Sequence, residues 1–225
     1  MKTIPLPILL SVNGGYVDTA GFLALQGLFT AHVTGNFVTL GATLAMGTSG
    51  ALPKLLALPL FCIVVLLTRI IDISLKRAGR PALRPLLAGK LLLLIAAATF
   101  AVFHGRFGDA DSGAALIMGM TLVAAMAIQN AVYRVHLAKS PPSTLMTGTT
   151  TQIMLDLAEI LSSRRENAAG AYTRIKRMAL SVLAFAFGCA AAAIGYILSP
   201  TWCFIVPAIL GFFSFVAKVD TPEGD

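Results

Sequence analysis

Charge is what this sequence has least of. Asp, Glu, Lys and Arg make up 12% of its 225 residues, against about 25% in soluble domains. Hydrophobic side chains supply 57%, and the mean hydropathy is +0.83. That balance excludes a chain whose main solvent is water. Cysteine is scarce too: Cys62, Cys189 and Cys203 fall in apolar stretches without metal-ligand spacing. They read as small packing residues, and no disulfide is expected. The chain has no His-Glu-x-x-His, no phosphate-binding glycine loop and no Ser/His/Asp arrangement. An enzyme is therefore not expected, nor a catalytic residue, a metal or a cofactor. The net charge of +7 would suggest nucleic acid in a soluble protein. Here the basic residues stand at the ends of apolar stretches, a pattern that orients a membrane protein and touches anionic head groups. No nucleic-acid partner is expected.

What the sequence has in quantity is long apolar runs. Pro5 to Phe29, Leu55 to Ile73, Leu86 to Phe103, Ala114 to Val132, Met178 to Leu198 and Trp202 to Ala217 can each cross a hydrocarbon core of about 30 Å as a helix. Continuous runs such as Leu91 to Phe103 exclude the alternation of a β-barrel. The fold class is all-α, a polytopic helix bundle forming one membrane domain over residues 1–225. Met1-Lys2 and the apolar Pro5 to Val12 resemble a secretory signal, but no Ala-x-Ala site follows, so the segment reads as a retained first span.

Two further segments resemble each other. Thr34-Gly35-Asn36 opens a Thr-rich stretch to Leu44, and Thr147-Gly148-Thr149 opens another to Leu157. The match extends back to Asp18–Leu25 beside Asn130–Leu137 with one residue of gap. Halves 5–104 and 113–218 thus form a candidate internal repeat. If neither Thr-Gly helix crosses, six spans place thirteen basic residues on the cytoplasmic side with both termini: Lys2, Lys76, Arg77, Arg80, Arg84, Arg134, Lys139, Arg164, Arg165, Arg174, Lys176, Arg177 and Lys218. Lys54 and Arg106 stay outside. Eight spans would set Arg164–Arg177 opposite Lys76–Arg84, against the positive-inside rule. Three spans per half invert the halves, and the Thr-Gly helices become re-entrant, as in many transporters and channels. The alternative is an interfacial position, which Asp156 and Glu159 favour for the end of the second segment.

Asp18 is the most informative residue, because a lone carboxylate within an apolar span must be protonated, paired or facing water. It reads as a proton, cation or substrate group, or as a structural carboxyl bonded across helices to Asn130. Asn13, Gly14, Gly15 and Gly21 mark a kink or close packing. His32, Thr34, Gly35 and Asn36 form a second cluster. A helix starting near Asn36 would aim free N–H groups at the centre, and Thr147, Gly148, Thr149 and Gln152 would do so from the other side. Asn36 and Thr149 would cap the two helices. Lys90, Arg69 and Arg134 are expected to snorkel, with Arg134 the best interior candidate. Ser162 to Arg177 reads as a basic surface loop.

The run Gly15-Tyr16-Val17-Asp18-Thr19-Ala20-Gly21-Phe22-Leu23, continuing to Phe29-Thr30-Ala31-His32-Val33-Thr34-Gly35-Asn36, resembles the YoaK family of bacterial inner-membrane proteins. Thr19 stands where that family usually has Ala. The resemblance implies a bacterial inner (plasma) membrane location, about six spans and no established reaction. It also groups Asp18 with His32–Asn36 as one site. Together these readings point to a small-solute secondary transporter or channel-like protein, binding a small polar or anionic solute or a proton. The alternative is a non-transporting membrane scaffold or accessory subunit. Partners beyond the lipid bilayer, including further copies of the chain, are left open.

Overall fold

A computed structural model of the chain describes residues 4–162 and 168–217, the latter from Ala168 and Ala169 as helix backbone. Lys2, Arg164, Arg165 and Lys218, assigned above to the cytoplasmic side, lie outside the described residues. Among the described residues eight α-helices follow one another: α1 Leu6–Ala24, α2 Asn36–Met46, α3 Ala51–Arg77, α4 Leu83–His104, α5 Gly113–His136, α6 Met146–Ser162, α7 Ala168–Leu198 and α8 Ile205–Val216. Short 3-10 turns, Val33–Gly35 and Trp202–Phe204, lead into α2 and α8. No strand occurs among the described residues. Helices α3, α4, α5 and α7 are long and apolar enough to cross a membrane, and Trp202–Val216 is a shorter apolar helix. The chain is a membrane-embedded α-helical protein, and exposed side chains such as Phe37, Leu66, Leu92 and Phe187 are those expected against lipid.

Helix α1 occupies the middle, with 13 of its 19 residues buried. It lies along α7 and also meets α8 and α5; α3 lies along α5, α2 packs on α3, α6 on α7, and α4 on both α5 and α8. The α1–α7 contact is a backbone contact. A Cβ on Gly15 would come within 2.2 Å of the Phe185 carbonyl oxygen, and one on Gly188 within 2.1 Å of that of Val12. Small residues let membrane helices approach this closely, since lipid tails supply no hydrophobic drive between them. The glycines therefore serve packing, and the helix runs through Asn13–Gly15 unbroken.

The first span is shorter than the apolar run that suggested it. Helix α1 stops at Ala24 in a Schellman motif, with Gly27 N donating to Phe22 O at 2.9 Å and Gln26 at φ 49°. Gln26 takes this left-handed conformation in place of glycine. Its side chain is anchored from both ends, donating to Gly108 O at 3.0 Å and accepting from Ser49. At the other end of the sequence, the expected basic loop Ser162–Arg177 is helical from Ala168, so Arg174 and Arg177 stand on α7.

A further expectation is corrected. Lys90 does not snorkel: it is 1% exposed and donates to Gln129 Oε1 at 2.5 Å, while Gln129 donates to Leu10 O and to Ser143. A bonded lysine stem on the α5-facing side of α4 has no route to the head groups. Asp156 is covered by its partners, Arg174 from α7 and Gln152. Arg69 meets an expectation in part, since its guanidinium is half exposed yet pairs with buried Asp72 at 2.6 Å.

Replacing Gly188 with Ala drives a methyl into the α1 backbone and is expected to destabilise by about 2 kcal/mol or more. Thermal unfolding of the purified protein in detergent reads this directly, with Gly148→Ala, which meets nothing within 4 Å, as the neutral control. Equal melting of the two variants would contradict the α1–α7 contact.

Candidate functional site

After the Schellman turn the chain folds back along α1 and brings three consecutive N–H groups to the Asp18 carboxylate. Oδ1 accepts from Thr30 N at 2.8 Å, Ala31 N at 2.7 Å and His32 N at 3.4 Å, with the Thr30 hydroxyl also at 3.4 Å. Successive N–H groups converging on an oxyanion form an anion nest, and here the anion is the protein's own. Oδ2 accepts from His32 Nδ1 at 2.6 Å, the donor assigned because the carboxylate accepts throughout. Asp18 is 4% exposed, so these partners replace the water the carboxylate lost. The hydrogen bond to Asp18 raises the His32 pKa above its ordinary 6.5, burial opposes this, and contact with the Thr144 backbone adds to it.

An open crevice of about 620 Å³ reaches this pair. Asp18, His32, Thr34 and Gly35 line it with Thr19, Phe22, Leu23, Phe29, Phe185 and Cys189. Its walls are mostly apolar. His32 stands edge-on to Phe185, centroids 5.5 Å apart, and its side chain is 32% exposed against 6% for Asp18. Of the pair, the imidazole is therefore the member that faces the crevice, with Thr19 and Thr34 as further polar lining, and the carboxylate lies behind it.

Four of the ten residues singled out in the sequence thus line one crevice. Asn36 lies directly behind it but does not cap α2: Gly35 is the N-cap, and the Asn36 amide instead accepts from Phe29 N and donates to Phe29 O, both at 2.8 Å. A closed Phe29–Asn36 clasp uses both ends of the amide, which leaves nothing for capping. Asn130 does not bond to Asp18. Its Oδ1 accepts from the Thr144 hydroxyl at 2.8 Å and its Nδ2 donates to Met126 O, and it lines a separate cleft of about 190 Å³ with Arg134. Thr147 and Gly148 are exposed on the first turn of α6. Thr149 is buried and donates to Leu145 O at 3.0 Å within its own helix, not as a cap. Gln152 donates to Asp156 at 2.8 Å. The second Thr-Gly segment reaches the site through Thr144, not through its helix.

Sequence reasoning missed Thr30, Thr144, Phe185 and the buried ionisable pairs. Lys54 is 5% exposed and donates to Thr43 at 2.6 Å; Asp72 is 1% exposed and bonded by Arg69, Lys76 and His136. Ionisable residues within apolar stretches are functional hypotheses by default, and that signal was available for Lys54, Asp72 and Lys90.

A bundle of apolar helices, four of them long enough to cross a membrane, with a buried carboxylate on α1 bonded by the loop that follows it, defines a polytopic membrane protein. The chain belongs to the DUF1275 family, described as a protein of unknown function, whose family model matches residues 6–217. Nothing matches among curated proteins or among solved structures.

Because the His32 pKa is raised in the folded state, the protonated ring contributes stability that is full below pH 6.5 and lost as pH rises through the raised value. The melting temperature is expected to fall over that window. Asp18→Asn is expected to flatten the dependence and to cost about 1–3 kcal/mol at pH 6. Parallel melting curves for wild type and variant across the window would show that the His32–Asp18 bond does not carry the pH dependence.

Proposed function

We propose that this protein is a small-solute secondary transporter or channel-like protein of the bacterial inner membrane, with His32 and Asp18 as its polar midplane site. The observation that carries the reading is the crevice, which reaches an ionisable pair where the chain leaves helical structure inside an apolar bundle. Irregular backbone in such a setting lines a cavity or is sealed by protein, and both occur here. The walls suit a solute with an apolar body and one hydrogen-bonding or ionisable head, or a proton alone. His32 binds it, and Asp18 orients His32.

The same reading takes the chain as two inverted halves, α1–α4 and α5–α8, with six crossings and re-entrant α2 and α6. Exchanging the halves turns each principal helix contact into another: α1–α7 into α5–α3, α2–α3 into α6–α7, and α4–α5 into α8–α1. Side-chain bonds agree. Asp18 meets His32 and Asn130 meets Thr144, each 14 residues on. Thr43, nine residues after Thr34, bonds Lys54, and Asp156, nine after Thr147, bonds Arg174. Six crossings put Lys76, Arg77, Lys139 and Arg174–Arg177 on one side, as the positive-inside rule requires of the cytoplasm. The motif from Gly15 to Asn36 supports placing the chain among YoaK-type proteins.

One observation favours a second reading, a non-transporting scaffold or accessory subunit: the Asp18 carboxylate is fully occupied by the loop it holds. The two readings differ over His32. In proteoliposomes, flux of small anions, amino acids, metal cations or protons is expected in the wild type, and His32→Gln is expected to reduce it about tenfold or more while keeping most of the thermal stability. Absence of flux across the panel, with both His32→Gln and Asp18→Asn altering stability alone, would leave the scaffold.

A further inference from the structure

Away from the crevice, the end of the bundle that carries the C-termini of α3 and α5 holds a second set of polar groups. Two adjoining clefts of about 190 Å³ each share Ser140, in the loop after α5. One is lined by Tyr133 and Arg134 of α5, the other by Lys139, Arg174 and Arg177. Tyr133 is 5% exposed and its hydroxyl has no hydrogen-bond partner. It approaches Ser140 without bonding geometry and lies within electrostatic reach of Arg177. A buried hydroxyl in this state costs about 1–3 kcal/mol until something bonds it.

Of the four cations around it, Arg174 and Arg177 are held by bonds within the protein, and Arg134 and Lys139 are exposed. Arg177 is tethered through one N–H to Lys139 O at 2.8 Å, which leaves the rest of its fork free. Arg174 is turned toward Asp156. Neither Arg134 nor the Lys139 ammonium has an ion-pair partner among the described residues. Asp156 bonds Arg174, and Glu159 lies within electrostatic reach of the same guanidinium. Met178 forms one wall, and Leu180 is exposed two residues further along α7. The Arg177 guanidinium and the Lys139 ammonium line one cleft and Tyr133 the adjoining one, with Ser140 between them, a donor set that matches a tetrahedral oxyanion.

We infer that the Ser140 clefts bind a phosphate group, with Tyr133 as the buried donor and Arg177 and Lys139 as the charged clamp. The site does not depend on the transport reading, because it shares no lining residue with the His32 crevice. The group is either the phosphodiester of an anionic lipid, whose chains would leave the cleft past Met178, or free phosphate.

The test uses the full chain purified into zwitterionic detergent. One arm adds phosphatidylglycerol against phosphatidylcholine and counts retained lipid by native mass spectrometry. The other adds inorganic phosphate against chloride at equal ionic strength and follows melting temperature. Saturable stabilisation or retention in either arm is expected, weakened about tenfold by Arg177→Gln and less by Lys139→Gln and the near-isosteric Tyr133→Phe. Response to the lipid alone identifies a head-group site, and response to both identifies a general phosphate site. No preference for phosphate in either arm, or equal binding by all three variants, overturns the assignment.

Discussion

A backbone that leaves helical structure among apolar helices must find hydrogen-bond partners from the protein, because lipid offers none. In this chain the partner is Asp18. Its carboxylate collects the N–H groups of Thr30, Ala31 and His32, and the Asn36 amide closes the loop by bonding both ends of the Phe29 peptide unit. The interruption between α1 and α2 exists because these two side chains satisfy it. The cost of burying an anion is met in the same act, since each donor that the loop needs to satisfy is one that the carboxylate needs to receive. Neither group is tolerable alone, and this mutual need holds α2 against the bundle at a fixed depth along α1.

The glycine contact between α1 and α7 makes that arrangement rigid. Backbones that touch at Gly15 and Gly188 place Phe185 and Cys189, three residues before and one after Gly188, on the wall facing His32. The crevice is thus made by both halves of the chain. A smaller cleft elsewhere in the bundle is lined by Asn130 with Tyr133 and Arg134, and there Asn130 accepts from the Thr144 hydroxyl.

How much of this was legible beforehand depended on the range of the interactions. The apolar runs reported helices, because period and length are local properties. Asp18 and the His32–Asn36 run were found because they break an apolar pattern. Their bonding was not, since Asp18 was matched with Asn130 by helix register, and the true partners lie on a chain reversal set by Gln26 and Gly27. No composition rule anticipates a left-handed glutamine stabilised by contacts with Gly108 and Ser49. Lys90 was misjudged for a related reason: its partner, Gln129, comes from another helix. Position within a span told how far each charge was from water along its own helix, and not what stood beside it.

The division of labour within the Asp18–His32 pair follows from its geometry. A carboxylate bonded by four groups of one loop cannot exchange those bonds for solute without releasing the loop, and with it the start of α2. His32 is differently placed: Nδ1 is committed to Asp18, while the rest of the ring is partly exposed beside Phe185. Any event that alters the charge of the imidazole changes the strength of one bond to Asp18 and leaves the backbone donors in place. The ring can respond to the crevice while the loop stays folded. On the transport reading proposed above, that separation of a fixed anion from a variable partner puts the solute-binding role on His32 and the positioning role on Asp18.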